Sequence, residues 1–205
     1  MYVPHFNEMP PADVRDFVAS IGSAQMVTVD DAGELHATQL PIVWRDDTVE
    51  AHLALKNPHV DAIGDGQQVL LIVTGPQAYV TPSWYQGKAE HGRVVPTWNY
   101  STVQIRGTVT LRRDPAWLRG AVARLTDTHE SAESVPWSLD DAPGRFIEGQ
   151  LHGIVGVDIA VSRVVAKDKL SQNRADADRK AVAEGMSGRG GESVEVAARM
   201  RRDFA

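Results

Sequence analysis

Apolar and polar residues alternate with a period of two along much of the chain, and helical spacing appears in only a few places. Val103, Ile105, Val109 and Leu111 fall on one face of a strand whose other face carries Gln104, Arg106, Thr108 and Arg112. Val155, Val157, Ile159 and Val161 repeat the pattern in a last strand. Earlier strands are predicted over about residues 24–30, 34–44 and 48–55, with Asp31-Ala32-Gly33 and Arg45-Asp46-Asp47 as the turns between them. Val69 to Val73 is an unbroken apolar run of the kind that fills a central strand. From Gly75 to Pro96, prolines, glycines and aromatics crowd together, which predicts an ordered functional loop around a short strand near Ala78 to Thr81.

Helical spacing starts after Pro10 and Pro11, where Val14, Phe17, Val18 and Ile21 recur at i, i+3, i+4 and i+7 and Gly22 supplies a stop. Asn57-Pro58 introduces a short helix through Ile63. Asp114-Pro115 gives a cap and a first-turn proline to a helix striped by Leu118, Ala121, Val122 and Leu125. A loop with Pro136 and Pro143 precedes the last strand. A terminal helix is predicted from near Asn173 to Gly185, then a flexible break over residues 187–191 and a small helix over Glu192 to Phe204. Six or seven strands in hairpin order, with helices at the periphery, predict a mainly-β antiparallel barrel; the βαβ rhythm of a parallel sheet is missing. Residues 1–186 read as one domain and residues 187–205 as a flexible or short helical tail.

Composition narrows the chemistry. The 205 residues are 42% hydrophobic and 23% charged, enough to bury a core without staples. With no cysteine, disulfides, thiolate metal sites and a cysteine nucleophile are excluded. No signal-peptide pattern opens the chain and no apolar run approaches a bilayer span, so a cytoplasmic protein without membrane contact is expected. A net charge of −6, with basic density only at Arg199, Arg201 and Arg202, does not support direct DNA binding. There is no glycine-rich phosphate loop, no G-x-S-x-G and no H-E-x-x-H.

Three segments are richer in polar and aromatic groups than a core requires. In His36 to Pro41, Thr38, Gln39, Leu40 and Pro41 lie on a strand that either lines a planar ligand or meets water as an edge. In His52 to Pro58, Lys56 and Asn57 precede a helix start; they read as a phosphate-binding cation beside free N–H groups, or as a surface lysine and a capping asparagine. His52 has no partners at metal-ligand spacing. In GPQAYVTPSWY (Gly75–Tyr85) and VPTWNY (Val95–Tyr100), the rings of Trp84, Tyr85, Trp98 and Tyr100 either wall an aromatic cofactor or lock a loop. The run Lys169 to Arg174 reads as a capped strand exit or as a polar arm toward a ligand or second subunit.

In this order and spacing, GPQAYVTPSWY, VPTWNY and KLSQNR followed by Asp178-Arg179 resemble the PaiB-like family of FMN-binding negative transcriptional regulators, from the first residue to about Gly185. The resemblance implies an FMN-binding split barrel, a homodimer, and a flavin site near the subunit interface. It implies that Thr38 to Pro41 line the isoalloxazine, that His52, Lys56 and Asn57 lie near the ribityl phosphate, and that Trp84, Tyr85 and Trp98 complete the pocket or interface. Where the family's H-L-A-R-A-N-P pattern has arginine, this chain has Leu55, with Lys56 following. A lysine point charge does not reproduce an arginine fork on phosphate. Two other functions share the fold class: a flavin oxidoreductase using a reduced nicotinamide, and a heme-binding or heme-degrading split barrel with a histidine ligand.

Overall fold

Gly22 ends the first helix, α1 (Pro11–Ile21), in a left-handed conformation with φ +65° that a β-carbon would strain. Val14, Phe17 and Val18 of this helix are buried, as their spacing predicts. The computed structural model describes residues 1–202. Its strands are β1 (Ser23–Val29), β2 (Leu35–Pro41), β3 (Val43–Arg45), β4 (Thr48–Ala54), β5 (Gln68–Val80), β6 (Thr97–Arg112) and β7 (Ile154–Lys169). They form an antiparallel sheet in the order β2-β1-β5-β6-β7-β4-β3, open rather than closed on itself. The predicted mainly-β architecture with peripheral helices is the one observed, and the fold is that of a split barrel.

The chain divides into two units: residues 1–14, 74–103 and 165 onward form the first, and residues 15–73 and 104–164 the second. Strands β5, β6 and β7 contribute to both. In the second unit, β1 pairs with β2 from Ser23↔Pro41 to Val29↔Leu35, and β4 pairs with β7 from Thr48↔Ala160 to Ala54↔Ile154. Met26, Val49, Leu53, Leu71, Ile105 and Ile159 are fully buried there, all from strand positions of alternating pattern or unbroken apolar run. Helix α4 (Pro115–Glu130) begins at Asp114, whose carboxylate accepts from the Trp117 N–H at 2.8 Å. A helix the sequence reading placed in loop, α5 (Gly144–Leu151), packs Ile147 and Leu151 with Leu118 and Leu139.

The first unit has its own core, in which Ala78, Val80, Tyr85 and Leu170 meet Val182, Ala183 and Met186 of α6 (Asp176–Ser187) and Val196, Ala197 and Met200 of α7 (Glu192–Arg201). The end predicted for the last helix, Phe204, lies outside the described residues. Helix α3 (Gly87–Glu90) starts where Asp178 accepts from the backbone N–H of Gln86 at 2.7 Å. The carboxylate of the Asp178-Arg179 pair thus anchors the aromatic loop.

Two expectations fail for physical reasons. The apolar run and the short strand expected inside the loop are one 13-residue strand, β5, which passes through Gly75 and Pro76. Pairing with β1 involves only Leu70 to Ile72, so on that side Pro76 withholds no ladder hydrogen bond. Gly185 does not stop α6, which runs on to Ser187. A β-carbon at Gly185 would stand 2.3 Å from Cε2 of Trp84, so the residue is small because the indole lies on the helix. Helix propensity alone predicts that Gly185→Ala stabilises the protein by about 0.5–1 kcal/mol. Overpacking against Trp84 predicts a loss of about 1–3 kcal/mol. The urea midpoint of Gly185→Ala should fall; a rise would show that the indole does not fill this space.

Candidate functional site

Thr28 is a hydroxyl on the core-facing side of an otherwise apolar strand face, after Ala24 and Met26. A buried hydroxyl in that position requires a hydrogen-bond partner. Its partner is His59, which opens the short helix α2 (His59–Ala62) and is 3% exposed. The Nε2 of His59 lies 2.8 Å from Thr28 Oγ1, and its Nδ1 lies 2.8 Å from Thr38 Oγ1 on β2. In a neutral ring one nitrogen donates and the other accepts, so the two threonine hydroxyls take opposite roles. Asn57 completes the junction: its Oδ1 accepts from the His59 N–H at 3.0 Å, and its Nδ2 stands 3.5 Å from Thr38 Oγ1. His36, two residues before Thr38, lies with its ring 5.5 Å from that of His59 and reaches Asp30 at 3.0 Å. That contact, then the Glu34 and Ala32 N–H groups, hold the Asp30 carboxyl below its usual range.

The site residues expected from sequence separate into groups on this frame. Thr38 and Asn57 come together, with His59 between them as the residue the sequence reading missed. Its signal was Thr28, a polar side chain where the strand pattern calls for an apolar one. Gln39 and Pro41 lie on the opposite face of β2 from Thr38 and are exposed, Gln39 donating to the Ser23 hydroxyl at 3.0 Å. Leu40 shares the Thr38 face and is buried. His52 is half-buried on β4, across the strand from Val49, Ala51 and Leu53, and burial lowers its pKa. Lys56 is exposed in the turn after Ala54, so strand alternation does not set its direction.

The aromatic residues belong to the first unit and differ among themselves. Trp84 is covered, with Gly185 against its indole and the Arg189 guanidinium 4.2 Å from its ring centroid. Tyr85 is buried, with Arg174 5.1 Å from its ring centroid. Trp98 is 52% exposed and meets Tyr79 edge-on at 6.0 Å. The KLSQNR run is a built turn. Ser171 has φ +65°, its hydroxyl donates to Asn99 Oδ1 at 3.1 Å, and the Gln172 side chain spans the turn between the Leu170 N–H and the Asp168 carbonyl. No helix among the described residues is long and apolar enough to cross a membrane.

An open antiparallel sheet with peripheral helices defines the fold class, and comparison with known proteins agrees. Residues 1–163 match the family described as "Putative FMN-binding domain". The chain is 32% identical over 184 residues to the Bacillus subtilis protein named protease synthase and sporulation protein PAI 2, covering 87% of this chain and 85% of that one. It is 33% identical over 170 residues to an uncharacterized Aspergillus fumigatus protein, covering 67% of this chain and 65% of that relative's length. Among solved structures, a conserved hypothetical protein from Mycobacterium tuberculosis superposes with a TM-score of 0.61 at 14% identity, over 85% of this chain and 94% of that one. The FAD and heme binding protein from Mycobacterium smegmatis superposes at 0.60 with 16% identity, over 91% and 82%. At such identities these two speak for the fold alone. The chain belongs to the PaiB-like family of FMN-binding proteins.

The His59 junction has a pH signature. Burial first, and then His36, lowers the His59 pKa from its ordinary 6.5. The unfolded chain therefore takes up a proton at this ring at a pH where the folded chain does not. The ring's contribution to stability is complete above 6.5 and is lost as the pH falls through the folded value. Urea midpoints of the native chain should drop between about pH 7 and about pH 5, and drop less in His59→Asn, where His52 leaves a residual slope. Equal drops in the two proteins would contradict a neutral His59 in the fold.

Proposed function

We propose that the chain works as a homodimeric FMN-binding protein that acts on gene expression indirectly, as a regulator, without using its own surface to grip DNA. The observation that carries the reading is the Thr38–Asn57–His59 junction, which lies inside the region matching the FMN-binding family and ends in the Lys56 turn. In this reading Thr38 to Pro41 present a strand to the flat isoalloxazine, while Lys56 and Asn57 face the ribityl phosphate, with His52 beside them. The donor set fits a phosphate in kind: one ammonium and one carboxamide, on a turn that His59 and Asn57 fix from beneath. It is a weaker set than an arginine fork, because Leu55, 42% exposed, stands where the family pattern has the guanidinium. Helix α2 is only four residues long, so the cation rather than the helix dipole carries the attraction. Once bound, flavin supplies redox chemistry that the chain's own side chains lack.

The homodimer has its own support. Val29 and Leu35, paired across β1 and β2 at the end of the sheet, are 47% and 71% exposed. They line a shallow groove with Val27, Val69 and Leu70, bordered by Gln67, Gln68 and Arg106. Apolar side chains on an edge strand are suited to a second copy that brings the same groove. Trp98 is open to solvent in one chain and so is available to a ligand or to that second copy. The name of the Bacillus relative, protease synthase and sporulation protein, supports a regulatory role.

Titration of the purified chain with FMN, followed by flavin fluorescence, tests the assignment. Saturable binding is expected, with Lys56→Gln weakening it about tenfold, the equivalent of about 1.4 kcal/mol. Leu55→Arg should tighten it by a similar factor, since a guanidinium makes charge-assisted contacts to phosphate worth about 1.5–3 kcal/mol. If neither substitution moves the affinity, the phosphate contact is not at this turn. A Soret band in place of flavin bands in the purified protein would turn the reading to heme.

A further inference from the structure

The first unit holds a cavity of about 310 Å³ walled by the N-terminal segment, the residues that lead into β6, and the end of β7 with the turn after it. Three cations line it, Lys167, Lys169 and Arg174, and no carboxylate does among the described residues. Asp168, between the two lysines in sequence, is taken by other partners. It accepts from the Ser101 hydroxyl and, at 2.8 and 2.9 Å, from Nε and Nη2 of Arg199. The ammonium of Lys169 donates to the Thr97 hydroxyl and the Trp98 carbonyl, and that of Lys167 to the Tyr2 carbonyl at 3.2 Å. These neutral oxygens position the two charges without cancelling them. Burial, and then the like charges of Lys167 and Arg174, push the Lys169 pKa down from 10.5.

Aromatic groups share the same walls. Tyr2, Phe6 and Tyr85 line the cavity, and Lys167 and Lys169 sit 5.4 and 5.9 Å from the Tyr100 ring centroid. Tyr85 is 3% exposed, yet its hydroxyl has no hydrogen-bond partner among the described residues. A buried phenol left unpaired costs about 1–3 kcal/mol, and native folds satisfy such groups unless something else supplies the partner. Three cations with no carboxylate beside them in the lining, a buried donor without a partner among the described residues, and ring surfaces converge on one space.

We infer that this cavity is a second binding site, for a small anion carried on a single planar ring, in which Lys167, Lys169 and Arg174 meet the anionic group and Tyr85 supplies a further hydrogen bond. Its volume lies at the low end of the range of about 300–1,000 Å³ for small-molecule sites, which suits a single-ring carboxylate or phosphate ester better than a whole flavin nucleotide. All of its residues belong to the first unit, whereas the proposed flavin contacts at Thr38, Lys56 and Asn57 belong to the second. The inference therefore stands or falls apart from the FMN assignment.

Calorimetric titration of the full chain, free and saturated with FMN, tests it with phenyl phosphate and benzoate as ring-bearing anions and with inorganic phosphate and phenol as the separate halves. At least one ring-bearing anion should bind at one per chain and at least tenfold more tightly than either half, with or without FMN. Phenyl phosphate alone points to a phosphate ester as the natural ligand, and benzoate to a carboxylate. Lys169→Gln and Arg174→Gln should each weaken that binding about tenfold and leave FMN affinity unchanged. Tyr85→Phe should weaken it severalfold. If Lys169→Gln fails to fold, Arg174→Gln decides, because Arg174 is half-exposed. Binding no tighter than that of phosphate or phenol overturns the inference, as does binding indifferent to Arg174→Gln. Displacement of phenyl phosphate by FMN, with FMN affinity lost in the same variants, overturns it too, because the cavity would then belong to the flavin.

Discussion

A buried imidazole cannot leave either nitrogen without a partner in a low-dielectric interior, and in this chain both nitrogens of His59 are met by threonine hydroxyls on neighbouring strands. That requirement fixes more than one ring. It holds the first residue of α2 against β1 and β2, and so sets where the turn after β4 must lie. Asn57 adds a second tie by accepting from the His59 N–H. Lys56, one residue earlier, has no packing of its own to direct it; its location follows from the anchored residues beside it. Losing either threonine hydroxyl would leave a buried ring nitrogen unpaired, a defect of about 1–3 kcal/mol placed under the proposed phosphate contact.

The two units divide the chemistry. The second is a strand framework whose alternating positions fill one core and leave an edge strand, β2, with one face tied inward by Thr38 and Leu40 and one face open at Gln39 and Pro41. The first is built around α6 and α7 and spends much of its polar capacity on itself, as in the Asp168, Arg199 and Ser101 set and the Ser171–Asn99 contact. Three of its cations and a phenol meet in one cavity whose lining, among the described residues, holds no carboxylate. A flavin protein that takes a small aromatic anion would have both a redox centre and a means of sensing or turning over a second molecule, and either is compatible with a regulator that does not read DNA itself.

Much of the strand framework was legible because its signal is local. Val103 to Leu111, broken only by Gly107, and Val155 to Val161 alternate in polarity, and Asp114-Pro115 carries a helix start in two residues. The strands reach further than that pattern, β6 starting at Thr97 and β7 continuing to Lys169, because their outer parts alternate buried polar groups such as Asn99 and Ser101 instead of apolar ones. Gly185 misled because a glycine that accommodates an indole looks in sequence like one that ends a helix. His59 was missed for a related reason: its partners Thr28 and Thr38 lie 31 and 21 residues away, and nothing in the local pattern joins them. The motifs GPQAYVTPSWY, VPTWNY and KLSQNR pointed to the right family. They fold as one aromatic and cationic assembly in the first unit, with Trp84 locked in packing and Tyr85 and Lys169 on a cavity wall.

In the proposed complex, flavin phosphate is held at the turn fixed by His59. The most direct test is amide chemical-shift mapping of the isotope-labelled chain during titration with FMN. The largest perturbations should fall on the amides of Thr38, Lys56, Asn57 and His59. Perturbations confined to Tyr85, Lys169 and Arg174, with the His59 turn unmoved, would contradict it.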